Sequence, residues 1–484
     1  MNFVDKKIIS NFLYNTTYQL LVIILPIITT PFLARVLGVQ AIGTNSYIQT
    51  ISSFFVIFGI LGINLYGSKE IASVRDDKEN LSATFYTMYV IQVIAHILIL
   101  ILYFYLFVIN TNDYNDLFFI QSIFILGSIF DVSWFMKGVE DFKRLTIRNF
   151  IIKMISIICI FTFIRSSEDL WIYILINALS TILGNIVMWR YIFEYVEFKG
   201  FSFVNFRYHL KNILLLFLPV LFYQIYTAGD RIILEKISGT KELGYYDQAT
   251  KLIRISLTVV TSLNVVMLPR ISNMYTKAKQ RDIQGAIHQI ITVTLLIGCF
   301  ITALIAGASP SIVPWFFGLD YLEVIPLLMI MSLIIIINPV GSILTLQLGL
   351  ASNNNKAFII PYIIGAIVSL SSNFFLIPKF GALGASISIV LTELIVLIIR
   401  MFFATSKVQL KVVFNQTYKY LLSGVITCGV VFFLGEIINT DYIIINFFQG
   451  IIGILSYGFL LLLFKEKLLK SIINQVLKIS NQSK

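Results

Sequence analysis

Charged side chains inside two neighbouring apolar runs are the residues of this chain that could do chemistry. Asp230 and Arg231 lie at the end of one run, and Lys251 and Arg254 lie at the start of the next. A charge at the centre of a membrane-spanning helix costs about 2.5–3.5 kcal/mol on insertion scales, so such residues persist only where they face protein or a water-filled cavity. Because guanidinium and ammonium groups bind phosphate, this pattern predicts a water-filled path for an anionic cargo.

The composition excludes a soluble protein. Of the 484 residues, 58% are hydrophobic and only 13% are charged. The apolar runs reach the roughly 20 residues that a helix needs to cross a bilayer, whereas a membrane β-barrel would show short alternating strands. A formal net charge of +11 would suggest nucleic acid as a partner of a soluble protein. In a membrane protein we interpret it as basic loops on the inner side, and we predict no nucleic-acid partner.

The apolar runs and the basic residues together predict a topology. We expect fourteen transmembrane helices joined by short connections. Most lysines and arginines fall in alternate polar segments, which include those at both ends of the chain. By the positive-inside rule, both termini are expected on the inner side of the membrane.

Two stretches with the same glycine spacing indicate an internal repeat. Gly38 and Gly43 flank the gap after the first span, and Gly239 and Gly244 flank the gap after the seventh. Two six-helix halves with a site between them are a recurrent transporter plan. We therefore expect an all-α polytopic membrane protein with two six-helix lobes around a central cavity and two C-terminal helices. The expected parts are an N-terminal lobe at 1–196, an inner-face amphipathic linker at 197–211, a C-terminal lobe at 212–411, and helices thirteen and fourteen with a basic cytoplasmic tail at 412–484.

Three short motifs carry a resemblance to a known family. They are Arg35-Val-Leu-Gly38 with Gly43; Asp230-Arg231 followed by Gly239, Gly244-Tyr245-Tyr246 and Ala249-x-Lys251; and Phe380-Gly-Ala-Leu-Gly384-Ala385. In these motifs the chain resembles the O-antigen and capsule type polysaccharide flippases of the multidrug/oligosaccharidyl-lipid/polysaccharide exporter superfamily.

The resemblance implies a transporter in a bacterial cytoplasmic membrane, not an enzyme. It implies a cavity lined by the first, second, seventh and eighth spans. The implied cargo is a polyprenyl-diphosphate-linked oligosaccharide, moved from the inner to the outer leaflet by alternating access. Membrane lipid, a coupling proton or sodium ion and the polysaccharide polymerase machinery are the other expected partners, and no cofactor or metal is expected.

Four cations are the candidates for binding the diphosphate. Arg254 is the deepest and Lys251 lies three residues before it, while Arg231 and Arg35 lie at the outer ends of their spans. The alternatives are a structural ion pair for Arg254 and interface anchoring for Arg231 and Arg35. We expect Asp247 to pair with Lys251, four residues further on the same helix. The candidates for the sugar path are Asn15, Gln19, Asn45, Gln49, Tyr223 and Gln224.

Carboxylates inside spans are the candidates for ion coupling. Glu393 lies midway along the twelfth span, and Asp230 is the second candidate. Lys153 and Asp131 are predicted at comparable depths in neighbouring spans, where a structural pair between them is expected.

Three other functions compete with this interpretation. A multidrug exporter of the same superfamily would need carboxylates at the centre of its cavity to bind cations. A membrane glycosyltransferase or polymerase would need large loops, and the connections here are short. A flippase of the peptidoglycan precursor would share both fold and mechanism.

Overall fold

The computed structural model describes most of the chain as helix. Backbone is described for 3–110, 113–197, 203–277, 280–345, 355–405, 409–438 and 440–466. Within these ranges, the side chains of 3–24, 203–204, 262–277, 280–283, 355–356, 358 and 413 lie outside the description. No β-strand occurs in the described ranges, because the apolar runs are long enough to satisfy their backbone hydrogen bonds internally as helices.

Fifteen α-helices are described, with three short segments of other helical type between them. The α-helices are α1 (Phe3–Ile60), α2 (Ile63–Val74), α3 (Lys78–Tyr103), α4 (Asn115–Ile129), α5 (Ser133–Gly138), α6 (Phe142–Phe163), α7 (Leu170–Tyr195), α8 (Phe203–Lys277), α9 (Gln280–Phe316), α10 (Val324–Met331), α11 (Ile334–Leu344), α12 (Asn355–Ala404), α13 (Leu410–Val413), α14 (Thr417–Ile437) and α15 (Tyr442–Leu463). A π-helical turn extends α3 at Phe104–Ile109, and 3₁₀ turns occupy Ser167–Asp169 and Leu319–Tyr321.

Eleven segments of the described chain are long and apolar enough to cross a membrane. Three of them are 50, 57 and 46 residues long, far beyond the roughly 20 residues that one crossing needs. Each is interrupted by a glycine outside helical geometry, with φ 76° at Gly38, 85° at Gly239 and 54° at Gly381. The all-helical membrane fold is therefore confirmed, and the count of fourteen crossings stays a prediction.

The contacts divide the chain into an N-terminal unit, Met1–Gly244, and a C-terminal unit, Tyr245–Lys484. The N-terminal unit therefore contains the predicted linker and the first part of α8. Phe206 and Leu210 of that linker pack on the apolar cluster of α2, α3, α5 and α7. The lobe and linker boundaries at 196, 211 and 411 stay predictions.

A buried glutamine holds a break in the fourth span of the N-terminal unit. The break separates α4 from α5, which leaves the last carbonyls of α4 without helical donors. Gln92 of α3 donates from Nε2 to the carbonyls of Ser128, Ile129 and Asp131, at 3.3, 3.0 and 2.9 Å. Its Oε1 accepts from Trp134 Nε1 at 3.0 Å. One side chain thus satisfies both ends of the break.

Close helix packing organises the C-terminal unit. A Cβ on Gly424 of α14 would lie 3.3 Å from the Cys299 backbone of α9, and one on Gly307 of α9 would lie 2.7 Å from the Cys428 carbonyl of α14. Ser311 Oγ donates to Gln449 Oε1 of α15 at 2.6 Å. Small residues and interhelical hydrogen bonds drive association inside membranes. The thirteenth and fourteenth predicted spans therefore pack directly on α9.

Candidate functional site

The two glycine turns predicted as a repeat have nearly the same backbone geometry. Gly38 has φ 76° and ψ 172°, and Gly239 has φ 85° and ψ 173°. Both lie at positive φ, which costs glycine little and other residues much more. The spacing repeat in the sequence is confirmed as a repeat of local structure.

The second glycine of each turn packs against the backbone of the other turn. A Cβ at Gly43 would overlap the Thr240 carbonyl, and a Cβ at Gly244 would overlap the Val39 carbonyl. Val39 and Thr240 each directly follow the first glycine of their turn, so the contact is reciprocal. The first two spans and the seventh therefore meet at this turn junction, defined as Gly38–Gly43 and Gly239–Gly244.

Arg231 and Asp230 lie buried in α8, a short distance before the turn junction. Their exposed fractions are 5% and 2%. Arg231 donates from its backbone N to Asp230 Oδ1 at 2.8 Å and from Nη1 to the Thr227 carbonyl at 3.3 Å. This burial does not fit an interface anchor. Arg35, three residues before Gly38, is exposed.

A further cation beside the turn junction was missed by the sequence interpretation. The Lys236 ammonium lies 5.2 Å from the centre of the Tyr47 ring, in cation–π geometry. Its carboxylate neighbour is Glu235, with Nζ 3.7 Å from Oε2. No local spacing signals this contact, because its partners come from different spans.

The predicted sugar-path residues are partly described. Gln49 Oε1 accepts from Gln121 Nε2 at 2.7 Å, which adds a polar residue of α4 that the sequence did not single out. Asn45 and Gln224 are half-buried and Tyr223 is exposed. The side chains of Asn15 and Gln19 lie outside the described residues.

The C-terminal unit carries a polar stripe along one face of α8. Lys251 Nζ lies 2.9 Å from Asp247 Oδ2, which confirms the predicted pair. Arg254 is exposed, and Thr258 and Thr261 are half-buried. At about 100° per residue these five positions fall within roughly 80° of one another. They are defined here as the α8 polar stripe.

The side of α8 opposite the polar stripe is largely buried. Ile253, Ser256 and Val260 are buried on the far side from the stripe, and Val259 is the exposed apolar residue. The cations of the stripe are therefore segregated from the apolar surface of the helix. Such segregation is typical of a helix that lines a wet path.

Glu393 of α12 is a buried carboxyl with one unpaired oxygen. It is 4% exposed, and its Oε1 accepts from Asn338 Nδ2 at 2.9 Å. Its Oε2 has no hydrogen-bond partner among the described residues. The Arg400 guanidinium, two turns further, lies 5.5 Å from the centre of the Tyr362 ring. Burying a polar oxygen without a hydrogen-bond partner costs free energy. The described residues contain no group of three His, Cys, Asp or Glu side chains suited to a metal.

The predicted pair between Asp131 and Lys153 is wrong for the described residues. Asp131 Oδ1 instead accepts from the Ser133 backbone N at 2.9 Å. The break between α4 and α5 turns this carboxylate toward the start of α5, where it satisfies a helix N-terminal donor. Lys153 is exposed.

Comparison with known proteins places these features in a family. The model of the polysaccharide biosynthesis protein family matches residues 8–275. A protein of Escherichia coli whose name describes an O-antigen transporter is 24% identical over 378 residues, which are 77% of this chain and 91% of that protein. The capsular polysaccharide biosynthesis protein CapF of Staphylococcus aureus is 23% identical over 301 residues, which are 61% of this chain and 75% of CapF.

The fold also has a solved counterpart. The inward closed conformation of the lipid II flippase MurJ superposes with a TM-score of 0.76 at 17% identity, covering 95% of this chain and 99% of that one. At this identity the likeness shows the fold alone. The family match covers more than half of the chain, both glycine turns and the α8 polar stripe. This multi-span membrane protein belongs to the polysaccharide biosynthesis protein family.

Proposed function

We propose that this protein moves a polyprenyl-diphosphate-linked oligosaccharide from the inner to the outer leaflet of a bacterial cytoplasmic membrane by alternating access. The O-antigen transporter and capsule protein among its relatives support a cell-surface glycan as the class of cargo. The observation that carries the proposal is the α8 polar stripe, which sets a cation within a membrane-spanning helix. Unpaired phosphate and sugar hydroxyls cost many kcal/mol in hydrocarbon.

Charge within the stripe favours an anionic cargo. The stripe holds two cations, Lys251 and Arg254, and one carboxylate, Asp247, which pairs with Lys251. A guanidinium can donate two parallel hydrogen bonds to one phosphate group. We therefore assign Arg254 as the main diphosphate contact and Lys251 as a secondary one. Arg231 and Arg35 serve the outer part of the path.

Neutral polar groups along the first, second and seventh spans would bind the sugars. Gln49, Asn45, Tyr223 and Gln224 offer both donors and acceptors, as does Gln121, which holds Gln49. Asn15 and Gln19 are proposed as sugar-binding residues on the basis of the sequence alone. The lipid tail can stay in the bilayer throughout.

Depletion of the protein in its own cell tests the transport function. We expect one exported polysaccharide to disappear and its lipid-linked precursor to accumulate on the inner leaflet. Normal export during full depletion would contradict the proposal. Formation of new glycosidic bonds by the purified protein would instead establish a polymerase.

Ion coupling is proposed at Glu393. Its unpaired Oε2 can take up a proton or help to bind sodium, while Asn338 holds the other oxygen in place. Asp230 is the weaker candidate, because the Arg231 backbone already donates to its carboxylate.

A peptidoglycan-precursor flippase is the second candidate, and the superposition on MurJ supports only the shared fold. Both cargoes carry a diphosphate, so the α8 polar stripe suits either. Complementation of the two defects in separate host strains distinguishes them. A multidrug exporter fits less well, because a cationic drug would meet the net positive charge of the stripe.

A further inference from the structure

Helix α6 carries a lysine at its midpoint. Lys153 lies eleven residues after Phe142 and ten before Phe163, the two ends of the helix. At about 1.5 Å per residue, each end is roughly 15 Å away. Half of a hydrocarbon core is about 15 Å thick, so the ammonium lies near the midplane if α6 crosses the membrane.

The lipid-facing side of α6 is clearly marked. The exposed apolar residues of its middle turns are Ile147, Phe150, Ile151, Met154, Ile155 and Ile158, which are 38–60% exposed. These positions recur every three or four residues and so form one stripe along the helix. At about 100° per residue, Lys153 points roughly 130° away from the centre of that stripe. The ammonium therefore does not face lipid.

The face that carries Lys153 is otherwise the packing face of α6. Thr146, Ser156 and Ile160 lie seven residues before, three after and seven after it, and all three are buried. Lys153 is exposed among them. An exposed side chain on a packed face lies in a recess.

The neighbouring helices show where the recess is. Ser156 Oγ lies 2.6 Å from Ser180 Oγ of α7, and the Phe161 ring lies 4.5 Å from the Phe32 ring of α1. Around the axis of α6, Lys153 points between Ser156, which faces α7, and Phe161, which faces α1. This is the side away from lipid. The recess therefore lies between α1 and α7, inside the N-terminal unit.

No carboxylate in the described part of the chain forms an ion pair with Lys153. Arg144, near the inner end of the same helix, pairs with Asp141 and Glu194. An ammonium near the midplane without such a partner is retained when it has a functional ligand.

We propose, on the basis of the transport function above, that Lys153 is an anion-binding residue in the recess of the N-terminal unit. Its ligand is an anionic group of the lipid-linked cargo, either a phosphate or a sugar carboxylate. Lysine acts as a point charge, so it suits both groups without a fixed geometry.

Thiol labelling of the full chain tests whether the recess holds water. We would place Lys153→Cys or Ile155→Cys in a variant whose three cysteines, Cys159, Cys299 and Cys428, are replaced by alanine. The two test positions lie at nearly the same depth on different faces. A charged methanethiosulfonate reagent added in water should modify the cysteine of Lys153→Cys at least tenfold faster than the cysteine of Ile155→Cys. Equal rates would overturn the recess, whatever the protein transports.

Ligand binding tests the anion. Binding of undecaprenyl diphosphate, and separately of a hyaluronan tetrasaccharide that carries uronate, would be measured with purified full-length protein. Lys153→Gln should weaken at least one of them tenfold or more, and Lys153→Arg should restore most of the affinity. The probe whose affinity falls shows whether Lys153 binds the phosphate or the sugar carboxylate. Lys143→Gln, at the exposed inner end of α6, is the control. Unchanged affinity of Lys153→Gln for both probes would overturn the proposal. The transport function is tested separately, because loss of export in Arg254→Ala would still support it.

Discussion

At the scale of single residues, charge inside a membrane span is the informative feature, and its context decides its role. Lys251 and Arg254 differ already in the sequence, where only Lys251 has a carboxylate, Asp247, four residues before it. The structure pairs Lys251 with Asp247 in the same helix and leaves Arg254 exposed on the same stripe. Arg254 therefore stays the main predicted contact, as its depth in the span indicates.

We expect Arg254→Ala to lower the rate of cargo flipping about 10- to 100-fold, since a hydrogen bond to a charged group contributes about 1.5–3 kcal/mol. Arg254→Lys should recover only part of the rate, because lysine cannot donate the bidentate pair. The measurement is the appearance of lipid-linked glycan on the outer face of vesicles that contain the purified protein. Lys69→Ala, at an exposed position of α2, is the control. Wild-type rates in Arg254→Ala would remove the stripe from the mechanism.

Glu393→Gln should keep the fold and lose ion coupling. Glutamine preserves the acceptor for Asn338 Nδ2, but it can neither carry a negative charge nor exchange a proton near neutral pH. We expect transport by the variant to respond at least tenfold less to an imposed proton or sodium gradient. Glu436→Gln changes an exposed carboxylate of α14 and should behave as wild type. An unchanged gradient response in Glu393→Gln would exclude this carboxyl as the coupling group.

At the scale of elements, glycine decides how closely the long helices approach. The turn junction brings two backbones together where no Cβ fits. The break in the fourth span depends instead on a polar side chain, Gln92, because the freed carbonyls have no water to bind inside the unit.

We expect Gly43→Ala to lower the stability of the protein in detergent by about 1–3 kcal/mol, as overpacking does elsewhere. The reason is the overlap of its Cβ with the Thr240 carbonyl. Gly429→Ala is the matched control, since a Cβ on that residue of α14 has no atom within 4 Å. Thermal unfolding of both variants provides the comparison. Equal melting temperatures for the two would show that the turn junction is looser than its geometry implies.

Replacing Gln92 by leucine should destabilise the N-terminal unit by about 2–4 kcal/mol, because several buried polar groups lose their partner together. Because glutamine and leucine have nearly equal side-chain volumes, the loss of hydrogen bonds is the main effect of this substitution. Gln409→Leu, at an exposed position without a side-chain capping bond, controls for added hydrophobicity. The same thermal measurement applies, and a melting temperature within a degree of wild type would contradict the capping role.

At the scale of the whole molecule, topology is the testable property. The basic segments predict that both ends of the chain lie on the inner side. A reporter fused to either end should therefore be active only on the cytoplasmic side, and protease added outside intact cells should not remove it. An odd number of crossings would place the two reporters on opposite sides and would contradict the predicted fourteen.

The sequence alone determined what depends on composition and on neighbours within one helix. Apolar length predicted an all-helical membrane fold, and glycine spacing predicted the two matching turns. The four-residue spacing predicted the pair of Asp247 and Lys251, because residues at that separation on a helix always lie side by side.

Only the tertiary structure decided what depends on how helices are rotated and packed against one another. It directed Asp131 to the start of α5 and away from Lys153, it gave Gln92 its role at the helix break, and it brought Lys236 to Tyr47. These contacts join residues from different spans, or depend on where a helix breaks. The rotation of each helix is set by side-chain packing along its whole length, and local spacing does not encode it.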